Sequence, residues 1–328
     1  MEINEKDIKQ VIETVQKIES EVGKHMVGQK ELIRQLIVCI LAGGNALLEG
    51  VPGLGKTRLV NTLGSIMGLE FSRIQFTPDL MPADIIGTNI VARDRQDGGS
   101  FKFQPGPVFS NIVLADEINR ATPKTQSALL QAMQEKTVTV ANTTYQLPRP
   151  YFVLATQNPI EMEGTYALPE AQLDRFMFKL NVPFPTLEEL NEIVSMTTGS
   201  QQESLQPVTS GEELLKLTAV LKDIPVAQPV MDFALKLVLS THPETGNAPD
   251  ITKKYVRFGS SPRGAQAIIS TARIRAVLEG RYNTAFEDII HVAYPALRHR
   301  VFINFEGLSD GITADELISR LIREVEKQ

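Results

Sequence analysis

The chain has very little cysteine and no concentration of positive charge. Its 328 residues include a single cysteine, so neither an intrachain disulfide nor a cysteine-based metal cluster can form. This residue, Cys39, lies in the apolar run 36–41 and is expected to be a small core residue. The formal net charge is −6, with acidic and basic residues interspersed. The composition therefore disfavours electrostatic binding to nucleic acid or to an acidic membrane.

Long hydrophobic segments and metal-binding histidine patterns are also missing. No apolar run approaches the roughly 20 residues that span a bilayer. The charged stretch 1–7 lacks the hydrophobic core of a signal peptide. The four histidines are scattered without the spacing of a metal site. We therefore expect a soluble cytoplasmic protein without a membrane segment. The length leaves room for about two domains.

Residues 50–57 read GVPGLGKT and match the phosphate-binding pattern G-x-x-x-x-G-K-[ST]. A short apolar strand is predicted before this loop and a helix after it, which is the setting the pattern requires. Glycines let backbone N–H groups converge on a polyphosphate, and the helix N-terminus adds partial positive charge. The alternative is a glycine-rich turn with an unrelated lysine. The candidate nucleotide-binding residues here are Gly50, Val51, Pro52, Gly53, Leu54, Gly55, Lys56, Thr57 and Arg58.

Two residues of this loop have separate expected tasks. The Lys56 ammonium should reach the terminal phosphates of a nucleotide. The Thr57 hydroxyl should be a ligand of Mg²⁺.

The pattern of apolar residues changes near residue 185. Up to that point strands alternate with helices, which predicts a parallel α/β sheet preceded by an amphipathic N-terminal helix. Two hairpins are expected at 88–104 and 137–147. From 186 to 328 the sequence predicts helices, so we place the domain boundary between 1–185 and 186–328. Capping boxes should open four of these helices: Thr186 with Glu189, Ser210 with Glu213, Thr284 with Glu287, and Thr313 with Glu316.

Polar residues follow two of the predicted buried strands. Asp116 and Glu117 end one strand, and Asn158 follows another. Ligands bind at the carboxyl ends of the strands in parallel sheets, which is also where the phosphate loop lies. We expect Asp116 to hold the Mg²⁺ shell, Glu117 to polarise an attacking water, and Asn158 to position that water. The alternatives are a strand that ends in solvated acids and an Asn-Pro turn.

Several short segments carry a resemblance to a known family. The order of phosphate loop, Asp-Glu pair, asparagine after a strand, LDRF at 173–176 and SPR at 261–263 is similar to that of AAA+ ATPases. More narrowly, IQFTPDL at 74–80, DEINRA at 116–121, QSALL at 126–130 and ATQNP at 155–159 resemble the MoxR family. The resemblance runs from about residue 27 to residue 301. It implies an AAA+ P-loop NTPase core with a parallel sheet, a smaller all-helical lid domain, and ATP with Mg²⁺ as cofactors.

The resemblance also implies roles for individual residues. Asn158 corresponds to sensor 1. Arg175 corresponds to the arginine finger that reaches the ATP of a neighbouring subunit, although it could instead form an ordinary ion pair with Asp174. Arg263 corresponds to sensor 2, which touches the γ-phosphate of its own subunit, or it is a solvated arginine in the first turn of a helix. Arg120 is a candidate for a second interface arginine.

The remaining implied contacts concern the base and the partners. Val27 and Gly28 match the segment that borders the adenine. The two hairpins match segments that face the pore or the partner in related machines, with Phe101, Phe103 and Tyr145 as candidate contacts, or they are decoration of the sheet. An arginine finger requires a homo-oligomeric ring, usually a hexamer.

The function that the resemblance implies is an ATP hydrolase that remodels, assembles or matures a client or adaptor protein. A partner with a von Willebrand A domain and assistance in metal-cofactor insertion are part of this expectation. No nucleic acid is expected. The alternatives are a nucleic-acid motor, a metal-chelatase motor subunit, and a nucleotide-gated scaffold without useful turnover.

Overall fold

A five-stranded parallel sheet forms the centre of the first part of the chain. The computed structural model describes residues 5–92, 100–158, 164–198 and 204–327. In sequence order the sheet strands are β1 (Ala46–Glu49), β2 (Phe71–Gln75), β5 (Ile112–Asp116), β8 (Phe152–Gln157) and β9 (Phe178–Asn181). Their order across the sheet is β2-β5-β8-β1-β9, and every pairing is parallel. The parallel α/β core expected from the sequence is therefore confirmed.

Helices cover both faces of this sheet because its strands are buried on both sides. Neighbouring residues of a strand point to opposite faces. Leu114 accordingly joins the larger hydrophobic cluster, which contains Leu59 and Leu63, whereas Val113 joins the second cluster with Leu129. The helices of this region are α1 (Glu5–His25), α2 (Lys30–Leu41), α3 (Lys56–Ile66), α4 (Pro82–Ile86), α5 (Pro123–Glu135) and α6 (Glu170–Leu173).

Both predicted hairpins are present. The first consists of β3 (Gly87–Ala92) and β4 (Ser100–Pro105), and its predicted turn lies outside the described residues. The second consists of β6 (Thr137–Val140) and β7 (Thr143–Gln146). The ring centroids of Phe103 and Tyr145 are 4.0 Å apart and the rings are stacked, so the two hairpins are joined by an aromatic contact. Phe101 is 76% exposed.

The rest of the chain is helical, as expected, with one short addition. An antiparallel pair of strands, β10 and β11, lies within the helical region and was not predicted. Within the described ranges, no helix is both long and apolar enough to cross a membrane. The elements of this region are α7 (Leu187–Thr198), α8 (Gly211–Lys222), α9 (Gln228–Leu239), α10 (Asp250–Tyr255), β10 (Val256–Phe258), α11 (Pro262–Leu278), α12 (Phe286–Leu297), β11 (Phe302–Ile303), α13 (Phe305–Ser309) and α14 (Ala314–Glu326).

Three of the four predicted capping pairs form. The hydroxyls of Thr186, Ser210 and Thr313 accept hydrogen bonds from the backbone N–H groups of Glu189, Glu213 and Glu316, at 3.3, 3.3 and 3.2 Å respectively.

The prediction for Thr284 and Glu287 is wrong by one residue. Helix α12 begins at Phe286, and the N–H of Ala285 donates to Asp288 at 2.9 Å. The backbone of Thr284 pairs with the segment at 225–226, so Thr284 belongs to an extended stretch before the helix.

The N-terminal helix connects the two parts of the chain. Its apolar face, with Ile8, Val11, Val15, Ile18 and Val22, is buried and contacts α3, α8 and α11. A single hydrophobic cluster consequently extends across the predicted boundary at residue 185. The division into 1–185 and 186–328 stays a prediction.

Candidate nucleotide-binding site

The loop at residues 50–55 joins β1 to α3 at the carboxyl edge of the sheet. Gly53 and Gly55 have φ values of +84° and +73°, which L side chains rarely adopt. A Cβ at Gly50 would lie 2.8 Å from the side chain of Val182, so this position has no room for a larger residue. The loop thus has the backbone that a phosphate-binding loop needs, directly before a helix N-terminus.

Lys56 is held inside this loop. Its Nζ donates to the carbonyl oxygen of Gly50 at 2.7 Å. Burial lowers the pKa of Lys56, and the carboxylates of Asp116 and Glu117 act in the opposite direction. The ammonium is therefore partly desolvated and close to the negative charges that end β5. A phosphate group would offer it a stronger partner than a backbone carbonyl.

An apolar cavity of about 330 Å³ lies beside the loop. Residues 52–55 and Arg58 form one wall, and residues 25–27 with Gln29 form another. Phe184 and the α7 residues Leu190, Ile193 and Met196 close the third side. A mostly apolar cavity next to a phosphate-binding loop suits a planar base.

The two residues expected at the base differ in position. Val27 lines the cavity. Gly28 has a φ of +67° and lies against the side chain of Glu189, bordering a neighbouring cavity instead. The backbone of Gly28 therefore shapes the cavity wall without lining it.

The contribution of α7 was not predicted. None of its residues is buried, and Leu187 and Val194 are 71% and 56% exposed. From the sequence, apolar residues at helical spacing indicate core packing. The available signal was the proline-flanked Phe184, three residues before the start of α7, which ends the strand segment and begins the connection to the helix.

Asp116 and Glu117 lie together at the end of β5. Thr156, on the adjacent strand β8, connects them. Its hydroxyl donates to Asp116 Oδ1 at 2.6 Å and accepts from the N–H of Glu117 at 2.8 Å. Glu117 has a φ of 56°, in the left-handed region that favours glycine. A strained backbone conformation therefore sets the direction of its side chain.

The donor set at this edge fits Mg²⁺. Asp116 lies on the same face of the sheet as Leu114, two residues earlier, and α3 packs on that face. Thr57 is in the first turn of α3, so its hydroxyl and the Asp116 carboxylate belong to the same side of the sheet. Hard oxygen ligands, one of them a carboxylate, are those that Mg²⁺ prefers.

Strand β2 supplies two further polar residues that were not predicted. Arg73 donates to Asp116 Oδ2 through Nε at 3.2 Å and through Nη2 at 2.7 Å. Gln75 Nε2 donates to Glu117 Oε2 at 2.8 Å. In sequence terms the only signal was their alternation with the buried Ile74. Each carboxylate thus has a partner on β2.

Arg120 also contacts Glu117. Its Nε lies 3.2 Å from Glu117 Oε2 in the same chain. The role of Arg120 as a second interface arginine stays a prediction, and within one subunit its position is beside the candidate base.

Asn158 directly follows β8 and is buried, with 7% of its surface exposed. The preceding residue, Gln157, accepts a hydrogen bond from the N–H of Gly50 at 3.4 Å. Asn158 therefore lies next to the start of the phosphate-binding loop, where sensor 1 is expected.

Arg175 and Arg263 line a different cleft, of about 350 Å³. This cleft also includes residues 43–45, which precede β1, so it lies at the amino edge of the sheet. The phosphate-binding loop follows the same strand, and the four residues of β1 separate the two sites by roughly 13 Å. The contact expected between Arg263 and the γ-phosphate of its own subunit is therefore not supported by this structure.

The position of Arg263 has a clear structural cause. Ser261, which caps α11, donates to both oxygens of Asp174, at 2.9 and 2.8 Å. Asp174 directly precedes Arg175. The first turn of α11 is consequently held beside the candidate finger.

The cleft is strongly basic. We call it the arginine cleft, and its charged residues are Lys136, Asp174, Arg175, Arg263 and Arg300. Among the described residues that line it, Asp174 is the one acid, and the buried Arg300 already pairs with Asp174 at 2.8 Å. The expected ion pair partner of Arg175 is thus engaged by other groups. An anion from outside the subunit would balance the remaining charge.

Because of Lys136, the free energy of unfolding should depend measurably on pH. Burial lowers the pKa of Lys136 from 10.5 to about 8. Between these values the unfolded chain binds more protons than the native state, so the free energy of unfolding rises with pH. Lys136→Met should remove this rise, which we expect to be about 1–2 kcal/mol between about pH 8 and pH 9.5.

Urea unfolding of both proteins across this range measures the difference. Burial of Cys39 raises its pKa to about 12 and opposes the trend above pH 9, but this effect is common to both proteins and cancels. Parallel pH profiles of wild type and variant would contradict the prediction.

The fold and the two clefts define a class of protein. A parallel sheet with a phosphate-binding loop after β1, two carboxylates at the end of β5 and a helical C-terminal region is the architecture of an AAA ATPase with its lid. Family models agree: residues 45–178 match the ATPase family associated with various cellular activities (AAA), and residues 249–321 match the AAA lid domain.

Individual relatives narrow this class to a family. The chain is 42% identical to chaperone MoxR1 of Mycobacterium tuberculosis, over 96% of this chain and 82% of that protein. It is 31% identical to protein MoxR of Paracoccus denitrificans, over 85% of this chain and 86% of that protein. The crystal structure of an ATPase candidate from Cytophaga hutchinsonii superposes with a TM-score of 0.90 at 41% identity, covering 97% and 96% of the two chains. The chain belongs to the MoxR family of AAA+ ATPases.

Proposed function

We propose that this protein binds ATP with Mg²⁺, hydrolyses it between subunits of a ring, and uses the cycle to remodel or mature a partner protein. The observation that carries the proposal is the separation of two incomplete half-sites. The phosphate-binding loop and both carboxylates lie at the carboxyl edge of the sheet, and the arginine cleft lies at its amino edge.

The first half-site binds the nucleotide and prepares the water. The loop residues from Gly50 to Arg58 cradle the phosphates, with Lys56 on the terminal ones, while Val27 and the backbone of Gly28 border the base. Thr57 and Asp116 hold Mg²⁺, which neutralises phosphate charge. Glu117 accepts a proton from the attacking water, and Asn158 orients that water.

The second half-site stabilises the charge that develops in the transition state. A cation aimed at the γ-phosphate is worth most where water is excluded. The loop of the same chain is out of reach, so Arg175 and Arg263 act on the nucleotide of the neighbouring subunit. A heterologous contact of this kind closes into a ring when the rotation between subunits permits, and a hexamer is the size we propose.

The name of the relative from Mycobacterium tuberculosis supports a chaperone-like role. We extend that role to this chain, with a client or an adaptor protein as its partner. An adaptor with a von Willebrand A domain and assistance in metal-cofactor insertion are the specific forms that we propose. The exposed Phe101, at the end of the first hairpin strand pair, is the side chain that we place against the client.

The test is the ATPase rate per subunit as a function of protein concentration, with molecular mass from light scattering in ATP and in ADP. We expect the rate per subunit to rise with concentration alongside a ring-sized mass in ATP, because each active site needs two chains. A flat rate with a monomeric mass would contradict the shared site. Binding of ATP without any hydrolysis, also in the presence of client, would favour a nucleotide-gated scaffold.

A further inference from the structure

Both oxygens of the Asp116 carboxylate are engaged by the protein itself. Oδ1 accepts from the hydroxyl of Thr156, and Oδ2 accepts two hydrogen bonds from the guanidinium of Arg73. The side chain of Asp116 is 13% exposed, whereas that of Arg73 is 47% exposed. The carboxylate is thus held within the sheet by Thr156, and Arg73 is a long, half-exposed side chain that pairs with its other oxygen.

Arg73 and hydrated Mg²⁺ would compete for the same oxygen. Mg²⁺ keeps several of its waters, and those waters donate hydrogen bonds to a carboxylate as a guanidinium does. Two cations at one carboxylate oxygen repel each other in a partly buried site. Oδ1 already accepts from Thr156, which also accepts from the backbone N–H of Glu117, so a shift of the carboxylate away from Arg73 would disturb that contact.

We propose that Arg73 is a positioning residue that occupies Asp116 while no metal is bound, lowers the Mg²⁺ affinity of the site, and leaves the carboxylate when Mg²⁺–nucleotide binds. This inference rests on the proposed ATP site. It adds a regulatory contact to that site, since the arginine is displaced before Asp116 can serve the metal.

Displacement of Arg73 would also change the hydrogen bonding of Glu117. Arg73 Nη2 donates to Gln75 Oε1 at 2.5 Å, and Gln75 Nε2 donates to Glu117 Oε2 at 2.8 Å. Movement of Arg73 therefore changes the group that holds the candidate base. Metal binding and orientation of the base are linked by one continuous chain of hydrogen bonds on the surface of β2.

Thermodynamic linkage predicts the direction of two measurable changes, in Mg²⁺ affinity and in melting temperature. A contact that exists only without metal opposes metal binding, and its removal strengthens binding by the same factor. Arg73→Gln should therefore lower the Mg²⁺ concentration for half-maximal nucleotide binding by about fivefold, as expected for a partly exposed ion pair. The same variant should unfold at a lower temperature in EDTA, and Mg²⁺–ADP should raise its melting temperature by more than it raises that of wild type.

The experiment titrates Mg²⁺ against a fluorescent ADP analogue and compares thermal unfolding in EDTA and in Mg²⁺–ADP. Arg73→Lys is a second variant, expected to fall between wild type and Arg73→Gln because it keeps the charge and loses the two-nitrogen contact. Arg320→Gln is the control, since Arg320 pairs with Glu316 on the surface of α14. The control should match wild type in the Mg²⁺ titration.

The possible outcomes distinguish failure of the Arg73 inference from failure of the proposed ATP site. An unchanged or increased Mg²⁺ requirement in Arg73→Gln, with Mg²⁺-dependent ADP binding intact in wild type, would overturn the competition. Equal melting temperature increases in wild type and Arg73→Gln would overturn it as well. Failure of wild type itself to bind the ADP analogue would overturn the proposed ATP site.

Discussion

Replacing Arg175 with alanine should leave ATP binding by each subunit intact and lower turnover by about three orders of magnitude. Arginine fingers supplied by a second chain contribute on the order of 10³–10⁵ to the rate. Arg175 lies in the arginine cleft at the amino edge of the sheet, and its own phosphate-binding loop lies at the carboxyl edge. We therefore expect Arg175 to affect chemistry in the site of a neighbouring subunit, and ATP binding within its own subunit should not depend on it.

A mixing experiment makes this prediction specific to a shared site. Glu117→Gln removes the candidate base and should also bind ATP without turning it over, with a loss of about 10²–10⁴. In rings that contain both variants, some interfaces combine an intact Glu117 with an intact Arg175, so activity should partly return. Arg320→Ala is the control, because it removes a surface arginine of α14. Absence of any recovery across mixing ratios would indicate that the two residues do not act at one site.

Replacing Lys56 with alanine should weaken ATP binding by about 10²–10³. Hydrogen bonds to charged groups contribute roughly 1.5–3 kcal/mol each, and we expect the ammonium to reach more than one phosphate oxygen. Its Nζ donates to the carbonyl of Gly50 at 2.7 Å, and burial already lowers its pKa. Removing this partly desolvated cation should not destabilise the empty protein, so the loss should appear in binding alone.

Isothermal titration with ATP and Mg²⁺ measures this effect. Lys216→Ala is a suitable control, because Lys216 is an exposed lysine on α8 and far from the loop in sequence. A melting temperature in the absence of nucleotide that equals that of wild type would show that the fold is retained. Wild-type ATP affinity in Lys56→Ala would refute the assignment of the loop.

The sequence predicted the elements with local signals very well. Helices α7, α8 and α14 begin directly after the expected capping residues Thr186, Ser210 and Thr313, because such signals are local. The prediction failed at Thr284, where a backbone contact with 225–226 outweighs a local capping pattern. The pair of short strands β10 and β11 was missed for the same reason, since their pairing joins segments more than forty residues apart.

The candidate site shows the same difference between features set by local sequence and features set by contacts between distant segments. The phosphate-binding loop is determined by the sequence alone, because glycines with positive φ, a lysine and a helix start are consecutive residues. The positions of Asp116, Glu117 and Asn158 could also be predicted from the sequence, since the carboxyl ends of parallel strands meet at one edge of the sheet.

Only the tertiary structure decided which distant side chains share a site. The contact of Arg73 with Asp116 depends on the register between β2 and β5, and one wall of the apolar cavity depends on how α7 packs beside the loop. The separation of Arg263 from its own loop depends on the hydrogen bonds between Ser261 and Asp174. Such placements follow from packing between elements far apart in the chain, and no short pattern of residues encodes them. The sequence by itself thus determined the family and the backbone of the loop, and the packing determined that Arg175 and Arg263 lie apart from their own phosphate-binding loop.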